Sequence, residues 1–383
     1  MKNLFPITIQ WSWWTFILYL ISSYSVCVLC KMGAKKNTNK IVRFKNRCLK
    51  INFNVYYCIA ILILTLLATI RTYEVGPDTE SYVMEFLTAN KIEFNWSRLL
   101  NFHQLEPGYQ LLIMVIRSFT DNYHIYFFII FIPLAYAYVA FIKYFYKKED
   151  VYLFLPIFIF YFVNNMSGIR SAIGTIFLLC SFIQLDKKNY NKAFLLTLIA
   201  SCFHYTMLYN LYIIFMSRIF KSFKMKKKRW LWILGIVLGI VFTNLGLNIL
   251  ITSLQNTKYG FYSRDIGDRS LLGSIIFVIF GIVSLLIYKT IIEKKDSRIS
   301  LLIMGMSFLV TYPVLFITGA YRIAFYYIMP RLVIWDLFIK KILLNFDKKS
   351  QLICKLVIYL VVFLFLLLRF TKSSLDGNFV YFI

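Results

Sequence analysis

Long apolar runs recur along the whole chain and are separated by short polar or basic stretches. A helix needs roughly 20 residues to cross the hydrocarbon core of a bilayer, so such runs predict membrane helices. Hydrophobic residues occupy 60% of the 383 positions, more than a soluble protein needs for its core. The sequence therefore predicts an all-α polytopic membrane protein. The ten clearest runs lie near 11–30, 53–70, 123–146, 151–166, 169–186, 230–254, 271–290, 299–318, 321–339 and 352–370.

Two further apolar pieces do not fit complete crossings. The piece at 107–119 is too short to span, and the piece at 193–217 begins and ends beside basic loops. Both are predicted to be broken or re-entrant segments, which are tolerated where protein or a water-filled cavity covers the exposed backbone. We expect about 10–12 membrane helices in a single integral membrane domain that covers residues 1–383.

The basic residues mark the predicted cytoplasmic side. Short loops near membrane ends that carry Lys and Arg stay in the cytoplasm. Of the 43 basic residues, 29 fall in loops that can share one side, at 31–50, 143–150, 186–192, 218–229, 289–298 and 340–350. The long segment 71–106 then faces outward, as do the N-terminus and the tail from 371. Because the net charge of +26 is spread among these loops and not gathered on one surface, nucleic-acid binding is not expected.

Metal, redox and cofactor chemistry are not predicted. The seven cysteines lie mostly in apolar runs, and Cys27 and Cys30 form a lone CxxC at a helix end. Small packing residues explain that spacing better than redox chemistry does. The chain contains no Asp-x-Asp pair and no His/Cys cluster with the spacing of metal ligands. We therefore expect no cofactor and no essential metal.

A first polar group stands where the second membrane helix emerges. It consists of Arg71, the sequence Val75-Gly76-Pro77-Asp78-Thr79, and Tyr82. Asp78 has two interpretations: it caps a helix that begins at Thr79, or it is a carboxylate at the membrane surface that orients or deprotonates a hydroxyl.

Two further groups lie in the misfit apolar pieces. Glu106-Pro107-Gly108-Tyr109 begins the short helix, with proline at the first turn after an acidic residue. Phe203-His204-Tyr205 lies inside the second piece. An intramembrane histidine is either a hydrogen-bonding packing residue or a member of a functional polar cavity. Both Glu106 and His204 are candidates for a catalytic base.

Arginines stand at the predicted outer starts of two helices. In Gly168-Ile169-Arg170, Ser167 is the expected N-cap, and the helix dipole and the guanidinium of Arg170 would together favour an anion. Alternatively, this arginine reaches to lipid headgroups. Tyr321-Arg322-Ile323-Ala324 opens a later helix, and Arg331 lies roughly 13 Å deeper at helical rise.

Taken in their order along the chain, these five groups resemble the O-antigen and exopolysaccharide polymerases of the Wzy/EpsG type. The resemblance spans nearly the whole chain and implies a GT-C-like polymerase fold. It also implies a membrane glycosyltransferase that joins undecaprenyl-diphosphate-linked oligosaccharide repeats on the outer, periplasmic face of the bacterial plasma membrane. The implied partners are the lipid-linked oligosaccharide, the bilayer and a chain-length regulator.

The residue types fit that chemistry. A diphosphate leaving group gathers negative charge as the anomeric bond breaks, so fixed guanidinium groups stabilise the transition state more than the ground state. The predicted diphosphate ligands are Arg170, Arg322, Arg331 and Arg71. The incoming sugar hydroxyl needs a base or an orienting acceptor. The predicted catalytic residues are Asp78, Glu106 and His204.

Two other classes of membrane protein remain as alternatives. A flippase for lipid-linked oligosaccharides would also be polytopic and lined with arginine, but such transporters usually have two related halves, and no internal repeat is evident. A membrane O-acyltransferase would need a histidine paired with another acid or base in a buried tunnel, which His204 alone does not establish.

Overall fold

The computed structural model describes residues 13–36, 40–44, 47–51, 54–76, 78–89, 106–147, 152–222, 326 and 328–375. Helices dominate these ranges. They are α1 Trp13–Lys35, α2 Val55–Thr69, α3 Thr79–Thr88, α4 Pro107–Arg117, α5 Tyr123–Phe145, α6 Leu155–Ser167, α7 Ile169–Asp186, α8 Tyr190–Phe203, a 3-10 helix Tyr205–Tyr209, α9 Asn210–Ser222, α10 Ile328–Leu343 and α11 Lys348–Leu375.

Four of these helices are long and apolar enough to cross a membrane. They are α1, α5, α7 and the Lys348–Leu368 part of α11, and shorter apolar helices include α2, α6 and α8. The predicted class, an all-α polytopic membrane protein, is confirmed. The helices predicted near 230–254, 271–290 and 299–318 lie outside the described residues, as does the start of the one predicted at 321–339.

A short β-hairpin is an addition that the sequence analysis did not predict. Strand β1, Lys40–Phe44, pairs antiparallel with β2, Arg47–Ile51, so that Lys40 lies opposite Ile51 and Phe44 opposite Arg47. Both strands belong to the first predicted cytoplasmic loop. Hydrophobic periodicity locates membrane helices well, but it says little about a basic extramembrane loop of this length.

The chain divides into two compact units. The first comprises residues 1–92, 113–172 and 339–383, and the second comprises 93–112 and 173–338. The single membrane domain expected from the sequence stays a prediction.

The core of the first unit is built from aromatic side chains. Helix α2 packs on α1 and α5, and α1 packs on α6. The rings of Tyr138 and Phe158 stack at 4.6 Å, and the Tyr138 hydroxyl accepts a 2.7 Å hydrogen bond from Asn165. A buried tyrosine with a satisfied hydroxyl is both a large packing surface and a polar anchor. This core fixes the end of α6, next to which the first functional group lies.

The second unit contains the broken apolar segment. Helix α8 ends at Phe203, His204 is extended with φ −157° and ψ 109°, and the chain continues through the 3-10 helix into α9. The fully buried Asn210 donates 3.1 and 2.8 Å hydrogen bonds to Ser181 and Thr197 and so holds the start of α9. The prediction that 193–217 is broken is confirmed.

The other misfit piece is also as short as predicted. Helix α4 has 11 residues, which at helical rise is about 16 Å and cannot cross a bilayer. Whether either piece re-enters the membrane stays a prediction.

Candidate functional site

A glycine sets the turn that precedes α3. Gly76 has φ +96°, a conformation that side chains rarely adopt. A Cβ atom on Gly76 would also lie 2.8 Å from the Cβ of Ser167, far closer than such atoms approach in proteins. The turn therefore requires glycine for two independent reasons. It brings the Val75–Thr79 region against the end of α6.

The guanidinium of Arg71 holds this turn from inside. Its Nε donates a 3.0 Å hydrogen bond to the Ala68 carbonyl, and Nη1 donates to the Val75 carbonyl at 2.6 Å and to Thr79 Oγ1 at 3.1 Å. Nη2 donates to the carbonyl of Met166 in α6. One side chain thus joins the end of α2, the turn, the first residue of α3 and α6.

Aromatic rings enclose the same guanidinium. Its central carbon lies 4.6 Å from the ring centre of Phe127 and 5.5 Å from that of Phe131, and Arg71 is 0% exposed. Arg71 was predicted to contact the lipid diphosphate. The geometry gives Arg71 a structural role, because its fully buried guanidinium donates to backbone carbonyls and so shapes the loop. A contact between Arg71 and the diphosphate stays a prediction.

Asp78 stands at the start of α3, but its side chain does not cap the helix. The carboxylate is exposed and makes no capping hydrogen bond. The backbone N–H of Asp78 donates instead to Ser167 Oγ at 3.3 Å. The capping interpretation of this side chain is therefore wrong, and its carboxylate is exposed beside the turn.

Ser167 also has a different role from the one predicted. It was expected to cap α7, but it is the last residue of α6, and Gly168 separates the two helices. Its hydroxyl contacts Asp78, not the first turn of α7. A hydroxyl residue before a helix is a common N-cap signal, and here the neighbouring turn uses it.

Arg170 lies in the first turn of α7, beside Tyr82 of α3. Its Nε donates a 3.3 Å hydrogen bond to the Tyr82 hydroxyl, and its guanidinium carbon lies 5.4 Å from the centre of the Tyr82 ring. Arg170 is half-buried, whereas Tyr82 is 7% exposed. Burial raises the pKa of Tyr82, with Arg170 acting in the opposite direction, so the phenol is neutral at physiological pH.

The second unit brings together two residues that are almost 100 positions apart in sequence. Nδ1 of His204 lies 3.3 Å from Oε1 of Glu106. The Glu106 side chain is 1% exposed and that of His204 is 22% exposed. A buried carboxylate against a partly accessible imidazole is an arrangement in which the acid can orient the histidine.

A glycine allows this pair to form. A Cβ atom on Gly108 would lie 2.9 Å from the backbone oxygen of Cys202, so only glycine lets the first turn of α4 approach the end of α8 this closely. Glu106 directly precedes α4, and His204 directly follows α8. The start of the short helix and the break in the apolar segment thus place this carboxylate beside this imidazole.

Tyr326 lies beside the Glu106–His204 pair and was not predicted from the sequence. Its ring lies 6.1 Å from that of His204 in an edge-to-face arrangement, and its hydroxyl accepts a 3.4 Å hydrogen bond from Thr206. Its position four residues after Arg322 was the available signal. Arg322 itself lies outside the described residues, and only the backbone of Arg331, within α10, is described.

The EpsG family model matches residues 54–382. The chain belongs to the EpsG family. The resemblance to Wzy/EpsG-type polymerases is thereby confirmed. The matched part includes both clusters of side chains described above. The first cluster is Arg71, Asp78, Tyr82 and Arg170, and the second is Glu106 and His204 with Tyr326. No match is found among curated proteins or among solved structures. The GT-C-like fold stays a prediction.

Membership in the EpsG family supports a polysaccharide polymerase-like function in general. The residues predicted from the sequence fall into two groups. In the first unit Arg170 contacts Tyr82, and Asp78 lies one turn before Tyr82 at the start of α3; in the second unit Glu106 lies beside His204. Among the described residues, no three His, Cys, Asp or Glu side chains are grouped so that they could hold a metal ion.

Proposed function

We propose that this EpsG-family protein is a metal-independent polymerase that joins undecaprenyl-diphosphate-linked oligosaccharide repeat units on the outer face of the bacterial plasma membrane. The observation that carries the proposal is the contact between Glu106 and His204. A family match supports polymer synthesis in general, and this pair supplies the proton acceptor that a glycosyl transfer needs.

In the proposed reaction, His204 is the base. A neutral imidazole that donates from Nδ1 to Glu106 has Nε2 as its acceptor, and Nε2 takes the proton of the acceptor sugar hydroxyl. The hydroxyl oxygen then bonds to the anomeric carbon of the donor. The bond from that carbon to the diphosphate breaks, and the diphosphate leaves with the electron pair. Glu106 stabilises the imidazolium that forms.

Arg170 is the proposed ligand of the leaving diphosphate. Its guanidinium lies at the N-terminal end of α7, where the helix dipole also favours negative charge. A fork of donors matches phosphate oxygens better than an ammonium group does. Arg322 and Arg331 remain proposed ligands on sequence grounds, whereas Arg71 is assigned to the loop. The exposed carboxylate of Asp78 is the proposed orienting acceptor for a sugar hydroxyl.

The Glu106–His204 pair also supports one alternative function, that of a membrane O-acyltransferase. A membrane O-acyltransferase needs a histidine with an acidic partner, and the described pair meets that requirement. Deleting the gene separates the classes. Loss of a polymerase leaves surface chains of a single repeat, loss of an acyltransferase leaves long chains without acyl groups, and loss of a flippase leaves no chains.

The direct test uses purified protein in nanodiscs with a defined lipid-diphosphate repeat unit and no added metal. A ladder of products that grows by one repeat per step is expected, and it should persist in the presence of EDTA. Absence of a ladder with a folded protein would overturn the polymerase assignment. A ladder that EDTA abolishes would overturn only the metal-independent part.

The proposed outward orientation follows from the loop charges and has its own test. A membrane-impermeant thiol reagent applied to intact cells should label Asn90→Cys and not Lys226→Cys, with the unsubstituted chain as the background for native cysteines. The reverse labelling pattern would place 71–106 in the cytoplasm and exclude an outward-facing reaction.

A further inference from the structure

Helix α3 is held at both of its ends. At its start, Gly76 and the Asp78 N–H contact Ser167. Near its other end, the Phe86 ring stacks on Tyr126 at 4.5 Å with an interplanar angle of 4°, and both side chains are fully buried. A short helix with two such anchors has little freedom to shift.

Tyr82 lies one turn before Phe86 and is therefore fixed in place. Its ring and its hydroxyl both contact Arg170, through the 5.4 Å approach of the guanidinium carbon to the ring centre and the 3.3 Å hydrogen bond from Nε. An arginine side chain has many rotamers, and an exposed one samples them freely. Two contacts to one rigid partner remove most of that freedom.

We propose that Tyr82 is a positioning residue that holds the guanidinium of Arg170 in the orientation that binds the lipid diphosphate. This inference rests on the proposed function, because it takes a diphosphate as the ligand of Arg170. It assigns a ligand-directed role to α3, the helix that carries Tyr82. Tyr82 acts through Arg170 and does not itself react.

The two contacts can be removed separately. Tyr82→Phe keeps the ring and removes the hydroxyl that accepts from Nε, whereas Tyr82→Leu removes both contacts. Tyr126→Phe is the matched control, since it removes a tyrosine hydroxyl beside the same helix and keeps the ring that stacks on Phe86. Arg170→Lys keeps the charge and loses the fork.

The experiment measures binding of undecaprenyl diphosphate to each purified variant in nanodiscs, beside the polymer ladder. We expect Tyr82→Phe to weaken binding about three- to tenfold, the value of one hydrogen bond, and Tyr82→Leu to weaken it further. Tyr126→Phe should bind like the wild type. In the Arg170→Lys background, Tyr82→Phe should add less than about twofold, because the two residues act as one unit.

Either of two binding results would overturn the proposal: Tyr82→Phe binds like the wild type, or it weakens binding equally in both backgrounds. Unchanged binding by Arg170→Lys would remove Arg170 from the diphosphate site and Tyr82 with it. If the wild type binds but produces no ladder, the polymerase assignment fails while the binding comparison still decides the role of Tyr82. Gel filtration of each variant identifies misfolding. If Tyr82→Leu does not fold, the comparison of Tyr82→Phe with the wild type still tests the proposal.

Discussion

The two clusters solve similar packing problems with different chemistry. In each, a glycine allows two chain segments to approach within a distance that any other residue would prevent, Gly76 against Ser167 and Gly108 against Cys202. The first cluster then surrounds its arginines with carbonyls and aromatic rings, whereas the second places a carboxylate against an imidazole. The first is suited to holding charge in place, and the second to moving a proton.

The comparison also separates two arginines that look alike in sequence. Arg71 and Arg170 both flank helix ends in the predicted outer region. Arg71 is 0% exposed and donates to backbone carbonyls, whereas Arg170 is half-buried and contacts a neutral phenol. The role of a charged residue in a motif therefore follows from the partners that it contacts. Its residue type and its place in the motif are not sufficient to assign that role.

The largest effect on activity is expected in the second cluster. His204→Ala removes the proposed base and should lower polymer formation by about 10²- to 10⁴-fold, the usual range for a general base. Glu106→Gln keeps the shape but cannot stabilise an imidazolium, so its loss should be smaller yet clear. The measurement is initial rate in nanodiscs at equal amounts of folded protein.

Ser201→Ala is the matched control for those variants. Ser201 lies near the end of the same helix, α8, and its hydroxyl donates to the Leu198 carbonyl of that helix. Its rate should equal that of the wild type. If His204→Ala keeps a rate within a few-fold of the Ser201→Ala rate, the second cluster is a packing contact and the proton acceptor lies elsewhere.

The largest effect on folding is expected in the first cluster. Arg71→Ala leaves the carbonyls of Ala68, Val75 and Met166 without this donor in a buried place and should destabilise the protein by about 3 kcal/mol or more. Arg71→Lys cannot reproduce the set of contacts and should also reduce the yield of folded protein. The readouts are detergent gel filtration and thermal unfolding.

Arg170→Lys provides the contrast. It should be recovered at a normal yield with a normal melting temperature and should lose polymer, because the charge is kept while the fork is lost. If Arg71→Lys melts normally and loses only polymer, the two arginines share a role and the distinction between them fails.

Substitution of the two glycines tests the same contrast between the clusters, with smaller expected effects. Gly76→Ala adds a Cβ in a positive-φ turn and against Ser167, so it should lower the free energy of unfolding by more than about 1 kcal/mol. Gly108→Ala adds one against the Cys202 backbone and should move Glu106 away from His204, with a larger loss of rate than of stability. Equal losses of stability in both variants would show that both close approaches mainly stabilise the fold, and the contrast between the two clusters would fail.

Much of the membrane architecture could be predicted because it follows from one-dimensional rules. The length of an apolar run decides whether it can cross, which located α1, α5, α7 and α11 and marked 107–119 as too short. A break within 193–217 was also predictable, since an apolar segment flanked by basic loops on both ends cannot be a simple crossing, whereas its position at His204 was not.

The partners of the site residues could not be predicted in the same way. Glu106 and His204 are 98 positions apart, and no pattern in the sequence says that a glycine lets their helices meet. The burial of Arg71 was equally hidden, because its acceptors are backbone carbonyls and every residue carries one. Ser167 had a valid capping signal, and the structure uses its hydroxyl for Asp78 instead.

The smallest effect on stability is expected at Asp78, and it tests the surface of the first cluster. Because the carboxylate makes no capping bond, Asp78→Asn and Asp78→Ala should each change the free energy of unfolding by less than about 1 kcal/mol, the part that comes from the helix dipole. If the carboxylate orients a sugar hydroxyl, both variants should lose polymer equally, by about tenfold for one charged hydrogen bond. Rates and melting temperatures are measured on the same preparations. An Asn variant with wild-type rate beside an unstable Ala variant would restore the capping role and remove Asp78 from the proposed contacts to the acceptor.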